Sequence, residues 1–63
     1  MFQVYDVVLA KESLSSFVPK GTLGTVLLIY NCGSEYEVEF INSASETLDI
    51  LTVQGNKLCL KKR

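Results

Sequence analysis

The six residues Glu35-Tyr36-Glu37-Val38-Glu39-Phe40, "EYEVEF", alternate strictly between a carboxylate and an apolar or aromatic side chain. Successive side chains of a β-strand point to opposite faces, so Glu35, Glu37 and Glu39 share one face and Tyr36, Val38 and Phe40 the other. The stretch is a strand half-buried against a core, with an acidic stripe on its solvent side. Helical patterning is weak throughout the chain, and the flanking segments must be read to see what sheet this strand joins.

Upstream, Asn31-Cys32-Gly33-Ser34 reads as a hairpin loop, with Gly33 suited to the left-handed position. The strand before it is "TLGTVLLIY", residues 22–30, interrupted by Gly24, where a missing side chain permits a bulge, a bend or the close approach of another backbone. Pro19 and Gly21 form the turn that opens this strand. The run Val26 to Tyr30 is apolar without a break, so alternation leaves open whether Val26, Leu28 and Tyr30 face outward or Leu27 and Ile29 do. Earlier still, "KESLSSFVPK" is polar but punctuated by Leu14, Phe17 and Val18, which a loop folding back on the core would bury. A first strand is expected from Val4 to Ala10, with Tyr5, Val7 and Leu9 on one face and Val4, Asp6 and Val8 on the other.

Downstream, the loop "NSAS" leads to a fourth strand from Glu46 to Val53, with Leu48 and Ile50 expected inward and Thr47 and Asp49 outward. Gln54-Gly55-Asn56-Lys57 makes a turn into a short last strand, Leu58 to Leu60. The fold class is all-β, with five short strands in one domain spanning residues 1–63.

At 63 residues the core is small, and a chain of this size sits near balance between ordering cost and apolar burial unless something else supports it. Cys32 and Cys59 are too few for a disulfide scaffold, and the N-terminus lacks the basic and apolar segments of a signal peptide, so a reduced cytoplasmic setting is expected. With no histidine, neither a metal site nor a cofactor site is expected. No apolar run approaches the roughly 18 residues a spanning helix needs, so no membrane role is expected. Six basic against seven acidic residues, net charge -1, is not the electrostatic footprint of a nucleic-acid binder. Half of the basic residues form the terminal Lys61-Lys62-Arg63, which reads as a solvated end.

Five strands, a long irregular loop after the first, tight hairpins in the middle and one short turn before the last strand resemble an SH3-like barrel. More closely, "YDVV" at 5–8, "KGTLGTV" at 20–26, "YEVEF" at 36–40 and "LTV" at 51–53 resemble the recurring words of a bacterial family catalogued as domain of unknown function 4926. The resemblance covers nearly the whole chain and implies no catalytic residues. Members of that family often carry a charge in the strand after Gly-Thr-Val, where this chain runs Leu27-Leu28-Ile29.

Gly21 and Gly24 lack the strand-to-helix context and spacing of a phosphate-binding loop and are read as structural, as is Gly33. Glu35, Glu37 and Glu39 lie about 7 Å apart along a solvent face, which suits edge protection or a basic partner rather than acid-base chemistry. Cys32 and Cys59 have no activating base placed near them, so the chain is read as a non-enzyme. Tyr5, Tyr30 and Tyr36 fit a barrel core with hydroxyls at its rim better than a peptide groove. The apolar Leu27, Leu28 and Ile29 and the acidic stripe are the expected contact surfaces for a protein partner or a second copy. The expected role is a small cytoplasmic protein-interaction module, in one form an antitoxin or immunity-like partner of a neighbour-encoded protein. The competing reading is a nucleic-acid- or ribosome-associated barrel of the KOW type using Lys20, Lys57, Lys61, Lys62 and Arg63.

Overall fold

The computed structural model describes residues 1–61. Strict alternation in "EYEVEF" produces β3, Glu35–Ile41. Around it lie β1 (Val7–Ala10), β2 (Leu23–Tyr30), β4 (Thr47–Gln54) and β5 (Leu58–Leu60), with a left-handed turn at Asn31–Gly33 (φ 50°, 57° and 96°) and a one-turn 3-10 segment at Gly55–Lys57. All pairings are antiparallel, and the strands form one sheet in the order β4-β3-β2-β1-β5. The chain is all-β, with the five strands and the turn before β5 that the sequence led us to expect.

One face of the sheet makes the core. Val8 and Ala10 from β1, Val26 from β2, Tyr36, Val38 and Phe40 from β3, Val53 from β4 and Leu58 from β5 are buried in a single cluster with Val18 of the long loop. Because strands at both edges feed the same cluster, the sheet curls about it. Fully burying a side chain the size of Val or Phe is worth about 1.5–3 kcal/mol, so the three inward residues of β3 are a large share of what holds so small a domain. Gly24 is part of the same packing: a Cβ there would stand 2.6 Å from Val38 Cγ1 and 2.9 Å from Phe40 Cδ1. Its missing side chain lets β2 close onto the core, and what fills the space is the side chains of Val38 and Phe40, not the bulge, bend or neighbouring backbone that the sequence offered.

The bulge lies elsewhere. Val26 pairs with Val38 and Leu28 with Glu37, so Leu27 is an extra residue in β2. Before it Val26 faces inward; after it Ile29, opposite Tyr36, packs against the core, while Leu28 and Tyr30 stand opposite Glu37 and Glu35 on the outer face. The run therefore presents neither of the two alternating sets that the sequence allowed.

Three expectations are corrected. The first strand starts at Val7 rather than Val4, because Tyr5 takes a left-handed conformation (φ 71°) and Asp6 closes a turn through bonds to Gln3. Val26 still bonds to this turn, accepting from Tyr5 N–H and donating to the Asp6 carbonyl. In the long loop Val18 is buried and Leu14 packs against the core, but Phe17 is 66% exposed, at the tip of a tight turn from Ser15 to Val18. In β4 a second irregularity, between Phe40 and Ile41 in the pairing, makes Leu48 the extra residue. It moves Asp49, Leu51 and Val53 to the inward row and puts Ile50, expected inside, on the outer face with 51% exposure.

Candidate interaction surface

The outer face of β2, β3 and β4 is built from cross-strand rows. Thr25, Glu39 and Ile50 form one, Leu28, Glu37 and Thr52 the next, and Tyr30, Glu35 and Gln54 the last. Glu35, Glu37 and Glu39 thus share the face predicted from their spacing, and the two bulges add Leu28, 49% exposed, and Ile50 beside them. Leucine and isoleucine flanking three carboxylates give a surface with both an apolar footing and a charge of one sign.

Each carboxylate is held by a neighbour. The Tyr30 hydroxyl donates to Glu37 Oε1 at 3.0 Å, the Asn31 side-chain amide to Glu35 Oε1, and the Thr47 hydroxyl to Glu39 Oε2. The bond to Glu37, with some desolvation and the nearby negative charge, raises the Tyr30 phenol above its ordinary pKa of 10.0. These contacts fix the direction of the acids and leave them acceptors for a partner's cations.

The remaining candidates are dispersed. Leu27 is half-buried, and Ile29 belongs to the core side, so of the apolar run only Leu28 and Tyr30 reach the exposed face. Gly21 (φ 89°) and Gly33 (φ 96°) occupy left-handed positions in turns, and Gly24 lies under Val38 and Phe40, so all three glycines act on the backbone path. Tyr36 is 1% exposed, its hydroxyl accepting from Phe2 N–H at 3.1 Å and its ring meeting Phe2 edge-on. Tyr5 is 76% exposed in the first turn and Tyr30 lies on the outer sheet face, so the three tyrosines play separate roles. Cys32 is exposed in the left-handed turn between β2 and β3, and Cys59 is half-buried opposite Leu9; both are free thiols.

Among the basic residues of the competing reading, Lys20 precedes β2, Lys61 follows β5, and Lys57 is 3.7 Å from Glu12 in an exposed ion pair. Lys62 and Arg63 lie outside the described residues. Among the described residues no group of three or more His, Cys, Asp or Glu is placed to hold a metal ion, and no helix is long and apolar enough to cross a membrane. Ile50 is the surface residue that sequence reasoning missed, because nothing in "TLDILTVQ" announces the shift at Leu48.

The family described as "Domain of unknown function (DUF4926)" matches residues 4–60. The chain belongs to the DUF4926 family. The match takes in all five strands, so the outer face lies wholly within the DUF4926 domain. No curated protein and no solved structure matches the chain.

Proposed function

We propose that this DUF4926 domain is a non-catalytic protein-binding module of the bacterial cytoplasm, whose contact face is the outer surface of β2, β3 and β4. The observation that carries the reading is the exposure of Leu28 and Ile50 on the same face as Glu35, Glu37 and Glu39. Exposed aliphatic side chains in an acidic frame suit a basic partner with an apolar contact point: apolar burial supplies affinity, and the carboxylates steer and orient the encounter. An antitoxin or immunity-like protein that masks a basic neighbour-encoded protein is a concrete form of this.

The test is affinity capture of the tagged protein from lysate of its own organism, with and without nuclease, run beside Leu28→Glu and Glu37→Lys. A discrete protein retained after nuclease by the native chain, and lost by roughly tenfold or more with either substitution, supports the reading. Recovery of ribosomal or nucleic-acid-binding proteins that disappear on nuclease treatment, unaffected by either substitution, would replace it with the KOW-type alternative.

A further inference from the structure

The sheet has two edges, and the sequence treats them differently. β5 is three residues long and bracketed by Lys57 and Lys61, a common way to blunt an edge. β4 is eight residues long, TLDILTVQ, with no lysine, arginine or proline and a single charge, Asp49, which accepts from the Ser15 hydroxyl at 3.4 Å.

Which backbone groups of β4 are free follows from the ladder. Gly55 N–H donates to the Ser34 carbonyl at 3.0 Å, which makes that pair a hydrogen-bonded one. Bonded and non-bonded pairs alternate along an antiparallel ladder, so Val53 with Tyr36, Leu51 with Val38 and Asp49 with Phe40 are bonded pairs too. The inward residues of β4 therefore direct their N–H and C=O groups to β3. Ile50, Thr52 and Gln54 direct theirs to the open side. Among the described residues no backbone group takes up those of Thr52, the Gln54 carbonyl caps the 3-10 turn that follows, and the Ile50 N–H meets only the Asp49 carboxylate, at 3.0 Å.

We propose that this edge pairs with β4 of a second copy, antiparallel about a two-fold axis at Thr52, giving one continuous sheet across two chains. The edge is self-complementary in that register. Thr52 meets Thr52, Ile50 meets Gln54, Leu51 meets Val53 on the core side, and Asp49 lies opposite Gly55, so no like charges face each other. A two-fold at Val53 would instead set Leu51 against Gly55 in the 3-10 turn, where the strand has ended. Along the edge itself runs a shallow groove with Leu14, Leu51, Val53 and Lys57 on its inward side and Glu35, Thr52 and Gln54 on its outer side, where the added strand would lie.

Charge decides why the second copy joins by the edge and not by the outer face. Across the joined edge the Glu37 carboxylates are separated by three strand spacings, about 14 Å, beyond the roughly 8 Å Debye length of physiological salt. Stacking the outer faces would bring the acidic stripes within about 10 Å and desolvate them. Edge pairing leaves the outer face free, so the two surfaces are separately testable.

The experiment is sedimentation of the full chain over a wide concentration range, with Thr52→Lys, Thr52→Pro and Leu28→Glu in parallel. Thr52 N–H makes no bond to β3, so a lysine or proline there leaves the ladder intact, and dichroism confirms that each variant is folded. The native chain is expected to pass from monomer to dimer with rising concentration, Thr52→Lys and Thr52→Pro to weaken self-association by roughly tenfold or more, and Leu28→Glu to leave it unchanged. Thr52→Cys, in a chain carrying Cys32→Ser and Cys59→Ser, should oxidise to a covalent dimer, since residues facing one another in a bonded pair lie about 5.5 Å apart at Cα, within disulfide range. A native chain that stays monomeric throughout, a dimer that survives Thr52→Lys, or one abolished by Leu28→Glu alone would each overturn the proposal.

Discussion

β3 holds a single alternation from Glu35 to Ile41, whereas β2, paired to it from Leu23 to Tyr30, changes faces at Leu27. The difference lies in what each strand loses by slipping. A one-residue shift in β3 would drive three carboxylates into the core and throw Tyr36, Val38 and Phe40 into water, so its register is fixed by charge burial as much as by packing. β2 carries no charge between Leu23 and Tyr30, and an extra residue costs it little, because every side chain it turns either way is tolerable. The bulge gives Val26 and Ile29 to the core and Leu28 and Tyr30 to the surface. The candidate contact face is thus produced by the permissive strand and framed by the strict one.

The sharpest way to break that comparison is to remove one residue from each strand. Deleting Val38 shifts every side chain on one side of the cut to the opposite face and should abolish cooperative folding, read by urea denaturation. Deleting Leu27 removes the extra residue and restores simple alternation, leaving Val26 and Ile29 inward and Leu28 and Tyr30 outward. That variant should fold, less stable by about 1–2 kcal/mol for a half-buried leucine. Equal outcomes for the two deletions would mean that the bulge is not a switch. Next in size, Ile29→Glu puts a carboxylate against Tyr36 and should cost about 3 kcal/mol or more, while Leu28→Glu, which only sets a second carboxylate opposite Glu37 in solvent, should cost no more than about 1 kcal/mol. Chemical denaturation of both reads the face assignment directly.

How much of this was legible in the sequence follows the same division. β3, the turn glycines and the number of strands could be read from spacing, because charge, alternation and turn residues leave local marks. The face assignments in β2 and β4 could not, since a bulge is decided by the fit of a strand to its neighbour, and both Leu27 and Leu48 sit in runs that suit either face. Phe17 and Val18 show the same limit in a loop. Both are apolar, and only the turn that bonds Val18 N–H to the Ser15 carbonyl decides which one points inward. Of the candidate surface, the acidic stripe was visible from "EYEVEF" alone; Leu28 was visible only as an unresolved choice, and Ile50 was assigned to the wrong face.

Smaller effects refine the contact between the two strands. Gly24→Ala should destabilise by about 1–3 kcal/mol, since its Cβ would meet Val38 Cγ1 at 2.6 Å, and the companion change Val38→Ala should recover part of that loss in a double-mutant cycle. Absence of coupling would place the strain against Phe40, whose Cδ1 the added Cβ would meet at 2.9 Å, and not against Val38.

The smallest effect is electrostatic and joins the same strands on the outer face. Tyr30 donates to Glu37, and that bond is the largest cause of the phenol's raised pKa. A group that holds its proton more tightly when folded stabilises the fold in its protonated form. The contribution is complete below the unfolded value near 10 and disappears as pH rises through the higher folded value, where a phenolate would face a carboxylate. The thermal midpoint of the native chain should therefore exceed that of Tyr30→Phe by a small margin at pH 7 to 9, and the margin should close above pH 10. Because Tyr30 is solvent-exposed, salt should narrow the margin as well. A difference that persisted unchanged into alkaline solution would mean that Tyr30 supports β2 by packing alone, and that the strict and permissive strands are joined on this face without help from the hydroxyl.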